Sequence, residues 1–267
     1  MAEVPLAASF DGPPGAPVLV LANPVGTTRD IWAAQVPVLR KHFRLLRFEH
    51  RGHGGPGFAS PAPPGPYTMA DLGGDVLALL SSEGVERAAY CGVSLGGMIG
   101  LWLAAHAPER ISSLAVCCSA VTPLPSADAW RERAALARSA GMGPISDVAV
   151  PRWFTPSFIA RCPPAVAAVV SMLHGTDPEG YAGCGEAIAS MDLRPLLGEV
   201  RAPALLLAGA EDPAAPPWHM AGAAEAIAGA RLVVVRGTSH LANYETPGPV
   251  TDALLRHFLA TAPAERP

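Results

Sequence analysis

The sequence is poor in charge: only 16% of its 267 residues are Asp, Glu, Lys or Arg. The two signs nearly balance, 19 basic against 23 acidic, and no basic run appears. Nucleic acids are bound through clustered Lys and Arg that displace phosphate counterions, so no nucleic acid partner is expected. Long apolar runs are also missing. Stretches such as Ala165 to Leu173 fall well short of the roughly 18 residues that cross a bilayer, so no membrane span is expected. The N-terminus meets Pro5 with neither a basic segment nor an apolar stretch behind it, a pattern that points to the cytoplasm rather than export. The five cysteines (Cys91, Cys117, Cys118, Cys162, Cys184) are odd in number and contain no C-x-x-C, and two of them adjoin. Neither a disulfide framework nor a zinc site fits them, and they read as small buried hydrophobes. H-E-x-x-H and P-loop motifs are absent, and no G-x-G-x-x-G opens a helix, so no metal and no cofactor is indicated.

What the chain does have is apolar surface, 50% of its residues, punctuated by 27 glycines and 29 prolines without any triplet period. That composition describes a globular domain with many sharp turns. Val18 to Leu21 is an unbroken apolar run, as expected of a strand covered on both faces. A helical pattern follows from about Asp30 to Lys41, then a strand from Phe43 to Phe48 and a Gly/Pro-rich loop from Arg51 to Pro66. Next come a helix from Thr68 to Ser82, a strand from Ala88 to Cys91 and a helix from Leu95 to Ala107. Ile111 to Cys118, Ala204 to Ala208 and Leu232 to Val235 supply further strands, and Pro249 to Leu259 a closing helix. Such alternation signals an α/β fold with a mostly parallel sheet and helices on both faces.

Between Val121 and Leu197 the alternation stops. Ser126 to Ser139, Pro156 to Arg161, Ala165 to Leu173 and Tyr181 to Met191 look helical, separated by Pro and Gly. Residues 122–197 are therefore expected to form a helical cap over a core of residues 1–121 and 198–267.

The chemistry is expected at Gly92-Val93-Ser94-Leu95-Gly96. This G-x-S-x-G follows an expected strand and opens an expected helix, the setting of a nucleophile elbow. The turn is tight, and side chains two residues on either side of Ser94 would strike neighbouring backbone. The plain alternative is a glycine-rich turn in which Ser94 merely caps a helix. A serine at its ordinary pKa is a poor nucleophile, so a base and an orienting acid are required, in the chain order Ser, Asp or Glu, His. Asp212 follows the strand ending at Ala208, and His240 follows the strand Leu232 to Val235. Glu211 is the rival acid, disfavoured because Asp212-Pro213 sets the turn. Of eight histidines, His42, His106 and His257 are expected on the surface in or beside helices, and His174 in the cap. His50, His53, His219 and His240 remain near the active edge, and His240 alone has both the order and the preceding strand. The turn His50-Arg51-Gly52-His53-Gly54 reads as structural. A tetrahedral intermediate needs two N–H donors for its oxyanion. Leu95 supplies one, and in the loop Asn23-Pro24-Val25-Gly26-Thr27 the donor is Val25, because Pro24 has no N–H.

Tyr90 to Met98, the Asn23 to Thr27 loop, and the segments Arg152 to Pro156, Gly180 to Cys184 and Met191 to Arg194 resemble the 3-oxoadipate enol-lactonases. These are α/β-hydrolases, and the resemblance covers nearly the whole chain. The cap segments are its specific part, since esterases, haloperoxidase-like enzymes and carbon-carbon hydrolases share the elbow and the Asp and His loops. The chain departs from the family at Gly185, where the pattern has a second cysteine, and at Pro24. Haloalkane dehalogenases and epoxide hydrolases use a carboxylate nucleophile, which Ser94 excludes. The resemblance implies a small-molecule lactone substrate, opened by water to 3-oxoadipate in aromatic degradation by the β-ketoadipate pathway. The lactone carries a free carboxylate, for which Arg133 and Arg138 in the first cap helix are candidates, with Trp130 and Trp153 lining or packing the cap. Two other readings stand beside this one: a carboxylesterase of different substrate class, and a non-catalytic receptor on the same fold.

Overall fold

The computed structural model describes residues 3–261. Seven strands form one sheet: β1 (Ala8–Asp11), β2 (Val18–Ala22), β3 (Arg44–Phe48), β6 (Ala88–Val93), β7 (Ile111–Cys117), β8 (Ala204–Gly209) and β9 (Arg231–Val235). Their spatial order is β1-β3-β2-β6-β7-β8-β9. β1 runs antiparallel to β3 and every other pair is parallel. Every residue of β6 and β8 is buried, which is why these strands are apolar without alternation. β9 lies at the sheet's border and leaves Leu232 and Val234 exposed.

Parallel neighbours need crossover connections, which here carry α2 (Met69–Ser82), α3 (Leu95–His106) and α9 (Pro217–Ala226), while α11 (Pro247–Thr261) follows the last strand. The expected Asp30 to Lys41 helix is instead a 3₁₀ turn, Arg29–Trp32, and a single turn α1 (Val36–Leu39). Pro37 has no N–H to give to the preceding turn, so one unbroken hydrogen-bond ladder cannot run through it. Two features lie outside the sequence reading: strand β1, and a small hairpin, β4 (Gly54–Gly55) with β5 (Phe58–Ala59), inside the Gly/Pro-rich loop.

Between β7 and β8 the chain makes five helices: α4 (Ala127–Ala140), α5 (Gly143–Trp153), α6 (Pro156–Arg161), α7 (Pro163–His174) and α8 (Pro178–Ser190). Ser126, Thr155 and Asp177 cap α4, α6 and α8 with their side chains, and α6, α7 and α8 each begin with proline. α5 was not expected, since Gly143, Pro144 and Pro151 disguise it. Yet its Ile145, Ala149 and Trp153 are buried along one face at a spacing of four. α4 packs along α8. The insertion is tied to the sheet at several points. Leu193 N–H donates to Val121 O at 2.8 Å, and Asp177 N–H to Gly52 O at 2.8 Å. At Gly180 a β-carbon would stand 2.5 Å from Gly52 Cα, so only glycine permits this approach. Among the described residues no helix is long and apolar enough to cross a membrane.

Candidate active site

All parallel strands end at one edge, where open α/β sheets bind their ligands. β6 ends there in Ser94, whose backbone sits at φ 52°, ψ −115°, outside the regions an L-residue prefers. The turn is possible because both flanking glycines lack a side chain. A β-carbon on Gly92 would lie 2.1 Å from the Gly96 carbonyl carbon, and one on Gly96 would lie 2.5 Å from Ala22 O. Ser94 N–H donates to Cys117 O at 3.0 Å, and Ser119 Oγ donates to Ser94 O at 2.7 Å. These bonds hold the strained residue while its Oγ makes no hydrogen bond among the described residues. Leu95 begins α3, so its N–H has no partner in the helix.

Asp212 and His240 come from the loops after β8 and β9. Asp212 Oδ1 accepts Ala214 N–H at 2.7 Å and Ala215 N–H at 2.9 Å, while Oδ2 faces His240 Nδ1 at 2.8 Å. Burial pushes the carboxyl upward, but His240 and the two amides outweigh it and hold Asp212 below its ordinary value. A carboxylate only accepts, so His240 carries its proton on Nδ1 and presents the Nε2 lone pair. Glu211 is exposed and its N–H donates to Thr238 O. The acid brought to His240 is therefore Asp212.

The loop after β2 is held from two sides. Asn23 O accepts Gly96 N–H at 3.1 Å and His50 Nε2–H at 2.8 Å. Gly26 N–H, at φ 76°, donates to His53 Nε2 at 2.8 Å. Val25 N–H has no partner among the described residues. One cavity at this edge is bounded by Val25, Ser94 and His240 and by Trp130, Trp153 and Tyr181 of the insertion.

Residues 17–145 match the family described as the alpha/beta hydrolase fold, and residues 186–267 match one described as TAP-like protein. The 3-oxoadipate enol-lactonase 2 of Acinetobacter baylyi is 37% identical over 91% of this chain and 90% of its own. The crystal structure of the enol-lactonase from Burkholderia xenovorans, 41% identical, matches with a TM-score of 0.92 over 96% of this chain and 97% of that one. A thermophilic esterase from Thermogutta terrifontis, 27% identical, matches with a TM-score of 0.90 over 97% of this chain and 95% of that one. The chain belongs to the α/β-hydrolase family. Within it the protein groups with the 3-oxoadipate enol-lactonases, and it is a carboxylic ester hydrolase.

Two guanidiniums, Arg133 and Arg152, line the hydrolase's cavity. Arg133 stands 4.4 Å from the centre of the Trp130 ring. Among the described residues neither arginine forms an ion pair. Burial, and then the charge of Arg133, push Arg152 below its ordinary range, with Asp212 opposing. Arg138 corrects the expectation set for it. Its guanidinium lies between Glu179 at 2.8 Å and Glu186 at 2.5 Å on α8, outside the cavity. Five residues on a helix turn the side chain by about 140°, so Arg133 and Arg138 cannot face the same space. His257 is a second correction: it is buried, with Nε2 2.9 Å from Ser113 Oγ, rather than on the surface. Sequence reasoning quoted Arg152 within a motif but gave it no role, and it missed Glu245, a buried carboxylate behind His240. Among the described residues no cluster of His, Cys, Asp or Glu could hold a metal ion.

Proposed function

We propose that this hydrolase opens 3-oxoadipate enol-lactone to 3-oxoadipate through an acyl-enzyme on Ser94, with residues 122–197 serving as the cap over the site. Ser94 Oγ attacks the lactone carbonyl while His240 Nε2 takes its proton, and Asp212 stabilises the imidazolium. The N–H groups of Val25 and Leu95 hold the oxyanion. Collapse breaks the ring C–O bond. The enol oxygen leaves with the proton returned by His240, and conversion to the ketone removes the nucleophile that would close the ring again. Water, deprotonated by His240, then attacks the acyl-Ser94 ester and releases the second carboxylate. Arg133, stacked on Trp130, takes the carboxylate that the lactone already carries.

The observation that carries this reading is a cavity shared by Ser94, His240 and a guanidinium with no carboxylate partner among the described residues. The kinship with two enol-lactonases supports the substrate. The esterase neighbour favours a second reading, a carboxylesterase with the same triad. Ultraviolet loss of the lactone, measured beside turnover of a short-chain nitrophenyl ester, separates the two. Fast lactone loss that vanishes in Ser94→Ala, with poor ester turnover, is the expected result. Ester turnover without lactone turnover would retain the triad and overturn the substrate.

A further inference from the structure

The turn after β3 does not line the cavity, yet two of its histidines hold the loop that carries Val25. Pro24 O accepts Thr27 N–H at 3.4 Å and Thr27 Oγ1–H at 3.0 Å, closing a β-turn around Val25 and Gly26. In a trans peptide the N–H points away from the C=O, so these bonds aim Val25 N–H in the opposite direction. Gly26, at φ 76°, has the value that a type II turn requires at its third residue. The same four residues could also close as a type I turn, with the peptide between Val25 and Gly26 reversed and the Pro24–Val25 peptide aimed as before, so what the Val25 N–H needs is a turn held firmly in place. His53 Nε2, 2.8 Å from Gly26 N, meets the N–H of the peptide between Val25 and Gly26. Reversal would put the Val25 carbonyl against a nitrogen lone pair.

His53 is fixed in the role of acceptor. Its Nδ1 lies 2.8 Å from Arg51 O, and a carbonyl only accepts, so Nδ1 carries the proton and Nε2 is left bare. Arg51 is itself immobilised by Asp75, with Nη2 to Oδ1 at 2.7 Å. Burial, and then the neighbouring His50, push His53 down to about 3, so the acceptor survives across the neutral range.

We infer that His53 is a positioning residue for the oxyanion hole, anchoring by its Nε2 lone pair the turn whose first peptide points Val25 N–H at the reacting carbonyl. This rests on the reading of Val25 as a donor. Without His53 the Gly26 N–H is a buried donor with no partner, and the loop relaxes to satisfy it.

The test uses His53→Leu and His53→Gln in the full chain, read with a nitrophenyl ester and two inhibitors. An alkyl trifluoromethyl ketone adds Ser94 Oγ to its carbonyl carbon, with the proton passing to His240, and so needs the oxyanion hole. Adipate binds without forming an oxyanion. In His53→Leu, kcat is expected to fall about 10- to 100-fold with KM nearly unchanged, below the loss of a whole donor. Ketone inhibition should weaken by the same factor while adipate inhibition holds. In His53→Gln, whose Oε1 can accept Gly26 N–H, most of the kcat and ketone affinity should return. Unchanged kcat and ketone affinity in both variants would overturn the inference. So would a parallel loss of both inhibitors with a lowered melting point, which marks a structural role. Val25→Pro, which removes the donor itself, tells the two failures apart. If it stays folded and keeps full ketone affinity, the Val25 reading fails. If it loses that affinity while His53→Leu does not, only the inference about His53 fails.

Discussion

A buried carboxylate is costly, and Asp212 keeps its charge because three donors meet its two oxygens, one of them His240 Nδ1–H. Replacing it by asparagine conserves shape but offers an amide N–H₂ or a weaker acceptor to Nδ1. The imidazole can then move its proton to Nε2, which leaves no lone pair for the Ser94 hydroxyl. Asp212→Asn is therefore expected to lower kcat on a nitrophenyl ester about 10³- to 10⁴-fold while leaving the melting curve close to wild type. A loss below tenfold would show that Asp212 does not set the tautomer. Glycine acts at the same scale by absence: the methyl of alanine at Gly92 or Gly96 would overlap backbone carbonyl atoms.

Elements couple through contacts that no local pattern reveals. Glu245 ends the one-turn helix α10 (Ala242–Glu245) and accepts Ser239 N–H at 2.9 Å, Thr238 Oγ1–H at 3.3 Å, Thr155 N–H at 3.2 Å and the Thr155 hydroxyl. Beside it, Ser239 Oγ donates to Arg152 O at 3.0 Å and Leu241 N–H to Trp153 O at 3.0 Å. The loop bearing His240 and the cavity wall bearing Arg152 and Trp153 are thus one body. Glu245→Ala leaves several buried donors unpaired at about 1–3 kcal/mol each, so a drop of several degrees in melting temperature is expected, with kcat and KM both impaired. Glu245→Gln, which keeps one acceptor oxygen, should do less harm. A change in stability without any kinetic effect would deny the coupling. The same distinction explains what the sequence made legible. The buried strands announce themselves as unbroken apolar runs, and the elbow by glycine spacing within five residues. Asp212 and His240 follow from chain order and the strands before them. Glu245, Arg152 and His53 have no such signal, because Thr155 meets Glu245 across 90 residues and His53 meets Gly26 across 27. Arg138 was misplaced because facing on a helix depends on a rotation that residue type does not record.

The whole molecule carries a pH dependence concentrated at the end of β3. Burial pushes His50 down to about 4 and His53 down to about 3, and it pushes the Glu49 carboxyl up to about 8. All three are buried and all three are folded in their uncharged forms. Between about pH 4.5 and 6.5 the unfolded chain holds two histidine protons that the folded chain lacks, while the folded chain holds one carboxyl proton that the unfolded chain has lost. The unfolded state is ahead by one proton, so stability rises with pH across this window by about 1.4 kcal/mol per unit. His219 and His257, also lowered by burial, act in the same direction and steepen it. From about 6.5 to 8 the histidines are neutral in both states and Glu49 alone differs. The folded state is then ahead by one proton, and stability falls as pH rises by about the same slope. The buried thiols of Cys117, Cys118 and Cys184 are pushed upward by their surroundings and act only beyond this range. Urea denaturation at pH 5, 6.5 and 8 should thus show a maximum near 6.5. Glu49→Gln, neutral at every pH, should abolish the alkaline decline and steepen the acid limb to about 2.7 kcal/mol per unit, because the folded chain no longer holds a carboxyl proton to offset the two histidines. A profile flat from pH 5 to 8 in the wild type would mean that these groups are hydrated enough in the folded state to keep their ordinary protons.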